Sequence, residues 1–527
     1  MVLIFDPNTE ASMALIHIVG GVILLASIYY YYLTKNYKHW EKKCVPHMKN
    51  TLPGFGNMAS MILLKSNVYQ TFEEIYKKWS GHSMVGFYFG RQPGLLVRDP
   101  ELVKCVLQTQ FPSFSSNGAF FDPTVDRLLS RNPFILEGEP WKVARHQLSS
   151  AYTSGKLKYM YGTIRDVLGN FLEYLQGKVD KGFGEAEVEL KDIFSRFTAE
   201  TVARAGLGID GDAFNDKKDG IFIDIGKQLF DPTFFKGFKT IVTFFAPFLT
   251  RLFGASFIPR KIEDFFIDTV KNIIKYRAEN NEERSDFLQL MINLKKSGAK
   301  DFAFGRDFDD ETITSHASSF FIEGYETSSI TASFVVYQLA RHPDIQQRLR
   351  DEILSIVQTH GGNMTYEALQ EMKYLEQVIQ ESMRLVPPGG TMIKVCTNKA
   401  ELTGCDGVKC EVEPGTMVMI SVAGIHKDPE YWPDPEIFDP ERFTEENHRA
   451  RRRFTYLPFG EGPRVCIGTR MAMMLVKSVI AELIRNYDIT LSPKTQMPIK
   501  LNPHHFMPAP VGGLWMKLKP IGKTNSD

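Results

Sequence analysis

The stretch FGEGPRVCIG, residues 459–468, sets one cysteine among three glycines and a proline, directly ahead of the helix-like run TRMAMMLVKSVIAELI. Glycine accepts positive φ without penalty, so Gly460, Gly462 and Gly468 allow the backbone to curl and turn its amides inward. The following helix would aim its N-terminus at Cys466, and that positive end favours thiolate over thiol. A single thiolate presented this way suits an iron held mainly by a porphyrin. The same residues also suit a buried structural cysteine in a glycine-rich turn, and the loop alone leaves both readings open.

The surrounding chain narrows the choice. Its 527 residues admit up to three domains or one large fold, and 43% hydrophobic with 24% charged residues is globular composition. Lys plus Arg and Asp plus Glu both number 62, so net charge gives no argument for a nucleic-acid partner, and none is expected. The six cysteines, at 44, 105, 396, 405, 410 and 466, include no CxxC pair. A disulfide framework or zinc ribbon is therefore not indicated, and a reducing compartment fits.

The N-terminus differs in kind. Ser12 to Leu33 contains no Asp, Glu, Lys or Arg. As a helix it would span about 33 Å, enough for a hydrocarbon core of about 30 Å. Tyr29–Tyr32 form an interfacial aromatic belt, acidic Asp6 and Glu10 precede the run, and Lys35, Lys38, Lys42 and Lys43 follow it. The positive-inside bias puts the C-terminal side in the cytoplasm. Residues 1–34 read as an uncleaved anchor. Residues 35–57, with the Pro- and Gly-bearing CVPHMKNTLPGFGN, read as a linker, and 58–527 as one domain. Apolar spacing of three and four predicts helices over 263–280, 311–342 and 366–386, with strand-like pieces near 84–98, 391–396 and 416–422, and two or three strand pieces close in sequence only around 400–422. The fold class is mainly α with a small β-rich part.

Four further motifs stand in order along the chain: PWKVAR with Trp141 and Arg145, FIEGYETSS, ESMR with Glu381 and Arg384, and FDPERF with Arg442. With Phe459, Gly462, Arg464, Cys466 and Gly468 in register, the chain resembles the cytochrome P-450 superfamily of haem-thiolate monooxygenases over nearly its whole length. FILEGEPWK and YTSGKLK look most like its insect-type microsomal members. The resemblance implies the cytochrome P-450 fold behind one transmembrane helix. It implies haem b ligated axially by Cys466, with Phe459, Trp141, Arg145 and Arg464 also binding the cofactor. Glu381, Arg384 and Arg442 become the network that holds the cysteine loop. Thr327 and Glu326 become the oxygen-side relay, and Phe120 and Phe121 fall where the family covers its substrate pocket. The Phe-rich segment 228–249 would roof that pocket or dip into lipid. The loops PPGGTM near 387–392 and PHHFMP near 503–508 would line it.

One position departs from the commonest pattern. Glu323 precedes Gly324 where a small residue is usual, as in the fatty-acid ω-hydroxylase branch, and that likeness implies a covalent link from Glu323 to the haem as one reading. A helix-internal hydrogen bond or a proton path to Thr327 are the other readings. The implied partners are O2, a lipophilic substrate and NADPH–cytochrome P-450 reductase, with cytochrome b5 as a candidate second donor. Arg449, Arg451, Arg452 and Arg453 of HRARRRF are candidates to steer reductase docking. The implied location is the endoplasmic reticulum membrane, single-pass, with the catalytic domain cytoplasmic. The implied reaction inserts one atom of O2 into a xenobiotic or an endogenous lipid or hormone. A haem-thiolate isomerase or dehydratase that does not use O2, and a non-catalytic haem-binding protein, are the alternatives. NADPH consumption in the presence of reductase separates them.

Overall fold

The computed structural model describes residues 7–215, 218–246, 249–254, 256–301 and 306–522. Asp6 and Phe248 lie outside the described residues. Helix α1, Pro7–Thr34, carries the apolar run, and its Met13–Thr34 portion has mean hydropathy 2.0 with none of it buried. It is long and apolar enough to cross a membrane.

Residues 35–57 lack a long helix, as their prolines and glycines require, yet they are docked rather than slack. Trp40 is buried and donates Nε1–H to the Phe87 carbonyl at 2.9 Å. The surface they dock on is a hairpin of β1, Met84–Phe89, and β2, Gln92–Val97. Gly86 of β1 accommodates the Trp40 indole, which would meet an added Cβ at 2.5 Å.

The helical body follows: α2 (Gly138–Ser149), α3 (Ser154–Lys181), a short strand β3 (Ala186–Glu189), α4 (Leu190–Val202), α5 (Phe234–Phe245) and α6 (Arg260–Asn280). Helix α7, Asp310–Arg341, runs through the middle, buried along nearly all of its length. A helix buried on every side shows little amphipathic stripe, consistent with its many small Ser, Thr and Ala residues. Asp309 caps its start by accepting from Thr312 N–H at 2.8 Å.

The helix expected over 366–386 is broken at Met372, with Tyr366–Glu371 before it and α8, Lys373–Leu385, after it. A tertiary contact explains the break. The Glu352 carboxylate accepts from the Tyr374 and Leu375 N–H groups at 2.7 and 2.9 Å, capping a fresh helix start.

The expected β-rich part forms with strands β4 (Met392–Val395), β5 (Ala400–Thr403), β6 (Lys409–Val412) and β7 (Met417–Ile420). One sheet runs β1-β2-β7-β4, with β2 and β7 parallel, while β5 and β6 pair as a hairpin. After α9, Thr469–Asn486, come β8 (Tyr487–Leu491) and β9 (Trp515–Pro520), which join β3 in an antiparallel sheet ordered β8-β9-β3. Sequence periodicity did not indicate that second sheet.

Candidate active site

The cysteine loop is closed by its own backbone. Cys466 N–H donates to the Phe459 carbonyl at 2.9 Å, and Val465 N–H to Gly462 at 3.0 Å. Gly462 has φ of +75°, and an added Cβ would stand 2.0 Å from the Leu107 carbonyl oxygen. Both its conformation and this approach demand glycine. Helix α9 begins three residues after the cysteine, and the Gly468 N–H and Thr469 hydroxyl act on the sulfur as the helix-start reading expects. Burial nevertheless outweighs them and pushes the bare thiol up.

Cys466 and Glu323 keep accessible surface although protein surrounds both, which places them on the wall of an internal cleft. Burial pushes the Glu323 carboxyl up, against the opposing pull of Asn132 and Arg145. The charges of Glu323, Arg145, Cys466 and the Tyr152 hydroxyl all act on one another across this cleft. Two walls thus meet: the cysteine loop on one side and the Glu323 face of α7 on the other. Thr327, four residues on, donates its hydroxyl to the Glu323 carbonyl at 2.6 Å, the back-bond expected of a helical threonine.

Glu326 points elsewhere. Its carboxylate meets Lys191 Nζ at 2.8 Å and His505 Nε2 at 3.3 Å, and it is buried. Burial opposes its ionisation, but Lys191 and His505 prevail and hold its carboxyl below the usual range. Helical geometry explains the divergence, because residues one apart face about 100° apart.

The edge of the cleft is basic. Arg464 donates to the carbonyls of Pro133 at 3.0 Å and Leu136 at 2.6 Å and lies 4.3 Å from the Trp141 ring centroid. Its Nε is buried and has no partner among the described residues, and burial with the nearby Arg145 pushes its pKa down to about 10. Among the described residues the Arg145 guanidinium makes no hydrogen bond or ion pair. Lys394 of β4 is 4% exposed, donates to Asn117 at 2.6 Å and is pushed down to about 7 by burial and Arg464. Sequence reading missed Lys394. Its signal was a lysine inside an otherwise apolar strand, MIKV.

One buried and two half-buried cations with spare donors, beside the Cys466 thiol, make a setting that suits an anionic group between them. A haem fits this donor set: Cys466 would ligate the iron, and Arg145, Arg464, Trp141 and Lys394 would take the propionates. Phe459 packs partly buried against the core at the loop's start.

Glu381, Arg384 and Arg442 come together. Arg384 pairs bidentately with Glu381 at 2.7 and 2.8 Å, both side chains fully buried, and donates to the carbonyls of His426, Pro435 and Ile437. Arg442 Nε lies 3.5 Å from Glu381, in ion-pair range.

Other expected positions divide. Phe121 is buried against Phe244 and Phe257, with ring centroids 5.8 and 6.4 Å away, whereas Phe120 is 57% exposed. In HRARRRF, Arg451 is not available for docking. It stacks over Phe443 at 4.2 Å and Trp432 at 4.9 Å and donates to the Arg442 carbonyl. Arg449, Arg452 and Arg453 stay exposed, with Arg449 paired to Glu445 and Arg452 within 3.4 Å of Asp99.

Comparison with known proteins agrees with this geometry. The family profile described as Cytochrome P450 matches residues 46–515. Cytochrome P450 6k1 of Blattella germanica is 32% identical over 93% of this chain and 94% of its own. Probable cytochrome P450 6a23 of Drosophila melanogaster is 34% identical over 95% and 99%. Cytochrome P450 3A9 of Rattus norvegicus is 35% identical over 94% of each.

Proposed function

We propose, from the premise that this chain belongs to the cytochrome P450 family, that it is a membrane-anchored monooxygenase acting on a lipophilic small molecule. The observation that carries the reading is the pairing of Cys466, at the start of α9, with unpartnered cationic donors across one internal cleft. When bound, haem with a cysteine thiolate supplies O2 activation, the thiolate pushing electron density toward O–O cleavage.

The chain's own groups do the rest. Arg145, Arg464, Trp141 and Lys394 bind and orient the cofactor. The Glu381–Arg384–Arg442 network keeps the cysteine loop in place. Thr327 offers a hydroxyl on the α7 wall for handling a proton beside oxygen, and Glu326 stands behind it as a buried acid, paired with Lys191 and His505. Phe120 and the rings of α5 face the route of an apolar substrate. Electrons come from NADPH–cytochrome P-450 reductase, with cytochrome b5 as second donor, and Arg449, Arg452 and Arg453 steer docking. The lysines after α1 support a cytoplasmic orientation of the domain, and the membrane of this reading is that of the endoplasmic reticulum.

The ferrous–CO complex should show the strongly red-shifted Soret band of a thiolate ligand, and Cys466→Ala should lose it. Retention of that band in the variant would refute the assignment. Retention of Glu326 and Thr327 favours oxygen activation over the O2-independent alternatives.

The proposal extends to covalent attachment through Glu323, whose Oε2 has no partner among the described residues. Joining it to a methyl carbon of bound haem would break one methyl C–H bond and the carboxyl O–H bond and form one C–O bond, the two electrons and two protons released passing to O2 as H2O2. After turnover, acidic extraction should leave part of the haem on the polypeptide, and Glu323→Gln should free it. Complete haem release from the wild type ends this extension.

A further inference from the structure

Asn132 occupies the turn just before α2, is 3% exposed and uses all of its principal polar groups. Its Oδ1 accepts from Phe134 N–H at 2.6 Å. Because a backbone N–H requires an acceptor, this bond settles which end of the amide is oxygen. The nitrogen must then face α7, where it donates to Ser319 Oγ at 2.8 Å and Glu323 Oε1 at 2.9 Å. Ser319 gives its own hydrogen to the Ser315 carbonyl at 2.7 Å, so its oxygen is free to accept. Ser319 and Glu323 are four residues apart on one helical face, which is why one amide reaches both.

The same turn faces the opposite wall. The carbonyls of Pro133, Phe134 and Leu136 are those that Arg464 of the cysteine loop holds. A hydrogen-bonded path therefore runs from Glu323 through Asn132 to the residue two positions before Cys466.

We infer that Asn132 is the positioning residue for Glu323, pinning Oε1 against α7 so that Oε2 is presented to the cleft in one orientation. A carboxylate accepts this bond better than a carboxylic acid, so the same contact sets how readily Glu323 takes a proton. The other groups facing Glu323 are Arg145 from α2, which favours its charge, and Tyr152 and Cys466, which oppose it when ionised. The inference deepens the monooxygenase reading by naming what aims its unusual acid, and it rests on that reading for what the acid faces.

The test uses the full-length protein in detergent and reads the carboxylic C=O infrared stretch of Glu323, assigned by its loss in Glu323→Gln, as pH is varied. This signal does not require bound haem, so it is read independently of the CO spectrum that tests the family reading. Asn132→Asp keeps the acceptor for Phe134 N–H but replaces the donor to Glu323 with a second acceptor. It should raise the proton affinity of Glu323 at least tenfold and shift the band. Glu323→Asp, which retracts the carboxylate by one methylene from the native Asn132, should move its titration in the same direction relative to an ordinary aspartate. It serves where Asn132→Asp does not fold. An unchanged Glu323 titration in Asn132→Asp, or an unperturbed aspartate in Glu323→Asp, overturns the inference. Loss of the thiolate CO signature with the infrared shift intact would overturn the monooxygenase reading alone.

Discussion

Asp126 shows how one buried carboxyl writes a pH dependence into this fold. It lies in the loop ahead of α2, 2% exposed, and accepts from the backbone N–H groups of Phe257 and Ile258 at 3.2 and 2.9 Å. Burial, reinforced by the nearby Glu263 charge, lifts its pKa from 3.8 to about 7, against the pull of the two amides and Lys239. Between about pH 4 and pH 7 the folded state therefore holds a proton that the unfolded chain releases. Stability from this group is present at low pH and falls as pH rises through that window. Three pKa units set an upper bound of roughly 4 kcal/mol. An asparagine in its place would keep an oxygen for the two amides and carry no charge. Asp126→Asn should match the wild type near pH 4 and gain roughly 1–4 kcal/mol by pH 8. Urea midpoints of the detergent-solubilised protein at both pH values check this. Equal pH slopes for the two proteins would mean that Asp126 is ionised throughout.

At the scale of elements, legibility in the sequence followed the locality of the interaction. The ExxR pair of α8 lies within one turn, and the cysteine loop carries its own glycines, so both were readable and both are found assembled. The 311–342 helix was nearly right in its bounds, because buried α7 still spaces its large side chains helically. The break at Met372 was not readable, since Glu352, which caps α8, comes from another helix. The β8-β9-β3 sheet was missed for a related reason. Its strands are short, and β3 meets β9 across more than three hundred residues, Ala186 pairing with Leu518. Side-chain direction was the least legible property. Arg451 reads as one charge of a basic run, yet its guanidinium lies over the rings of Phe443 and Trp432. Lys394 reads as a strand residue, and only the approach of Arg464 makes it part of the site. Asn132 carries no motif at all, because its meaning lies in the distant α7 residues that it binds.

At the scale of the whole molecule, the exit of α1, the β1–β2 hairpin and α5, with some of the exposed apolar side chains, are linked by direct contacts. Arg91, at the tip of the β1–β2 hairpin, lies 3.8 Å from the Tyr32 ring, and Gly54 approaches Leu33. Phe89, at the end of β1, stacks on Phe245 of α5 with centroids 4.6 Å apart, and Gly237 of α5 abuts Leu64. The hairpin tip, the 52–64 segment and α5 are thus tied together at the foot of α1. From this group, Phe235 is 77% exposed and Phe234 and Leu52 each 55%, with Leu252 at 75% close behind α5. Beside a helix long and apolar enough to cross a membrane, such apolar side chains would be best buried in the interfacial layer, at roughly 25 cal/mol for each Å² removed from water. Such a patch binds lipid weakly by itself and reinforces a tether. Deleting residues 1–34 should therefore leave haem binding intact and release the protein from membranes only partly in low-salt buffer. Replacing Phe234, Phe235 and Leu252 by serine in the truncated chain should release the remainder, because the patch then loses its apolar area while the core residues of α5 stay in place. Fractionation of microsomes by sedimentation gives the measurement. Complete release of the truncated but otherwise unaltered chain would show that α1 alone holds the protein to the membrane and that the α5 face meets water.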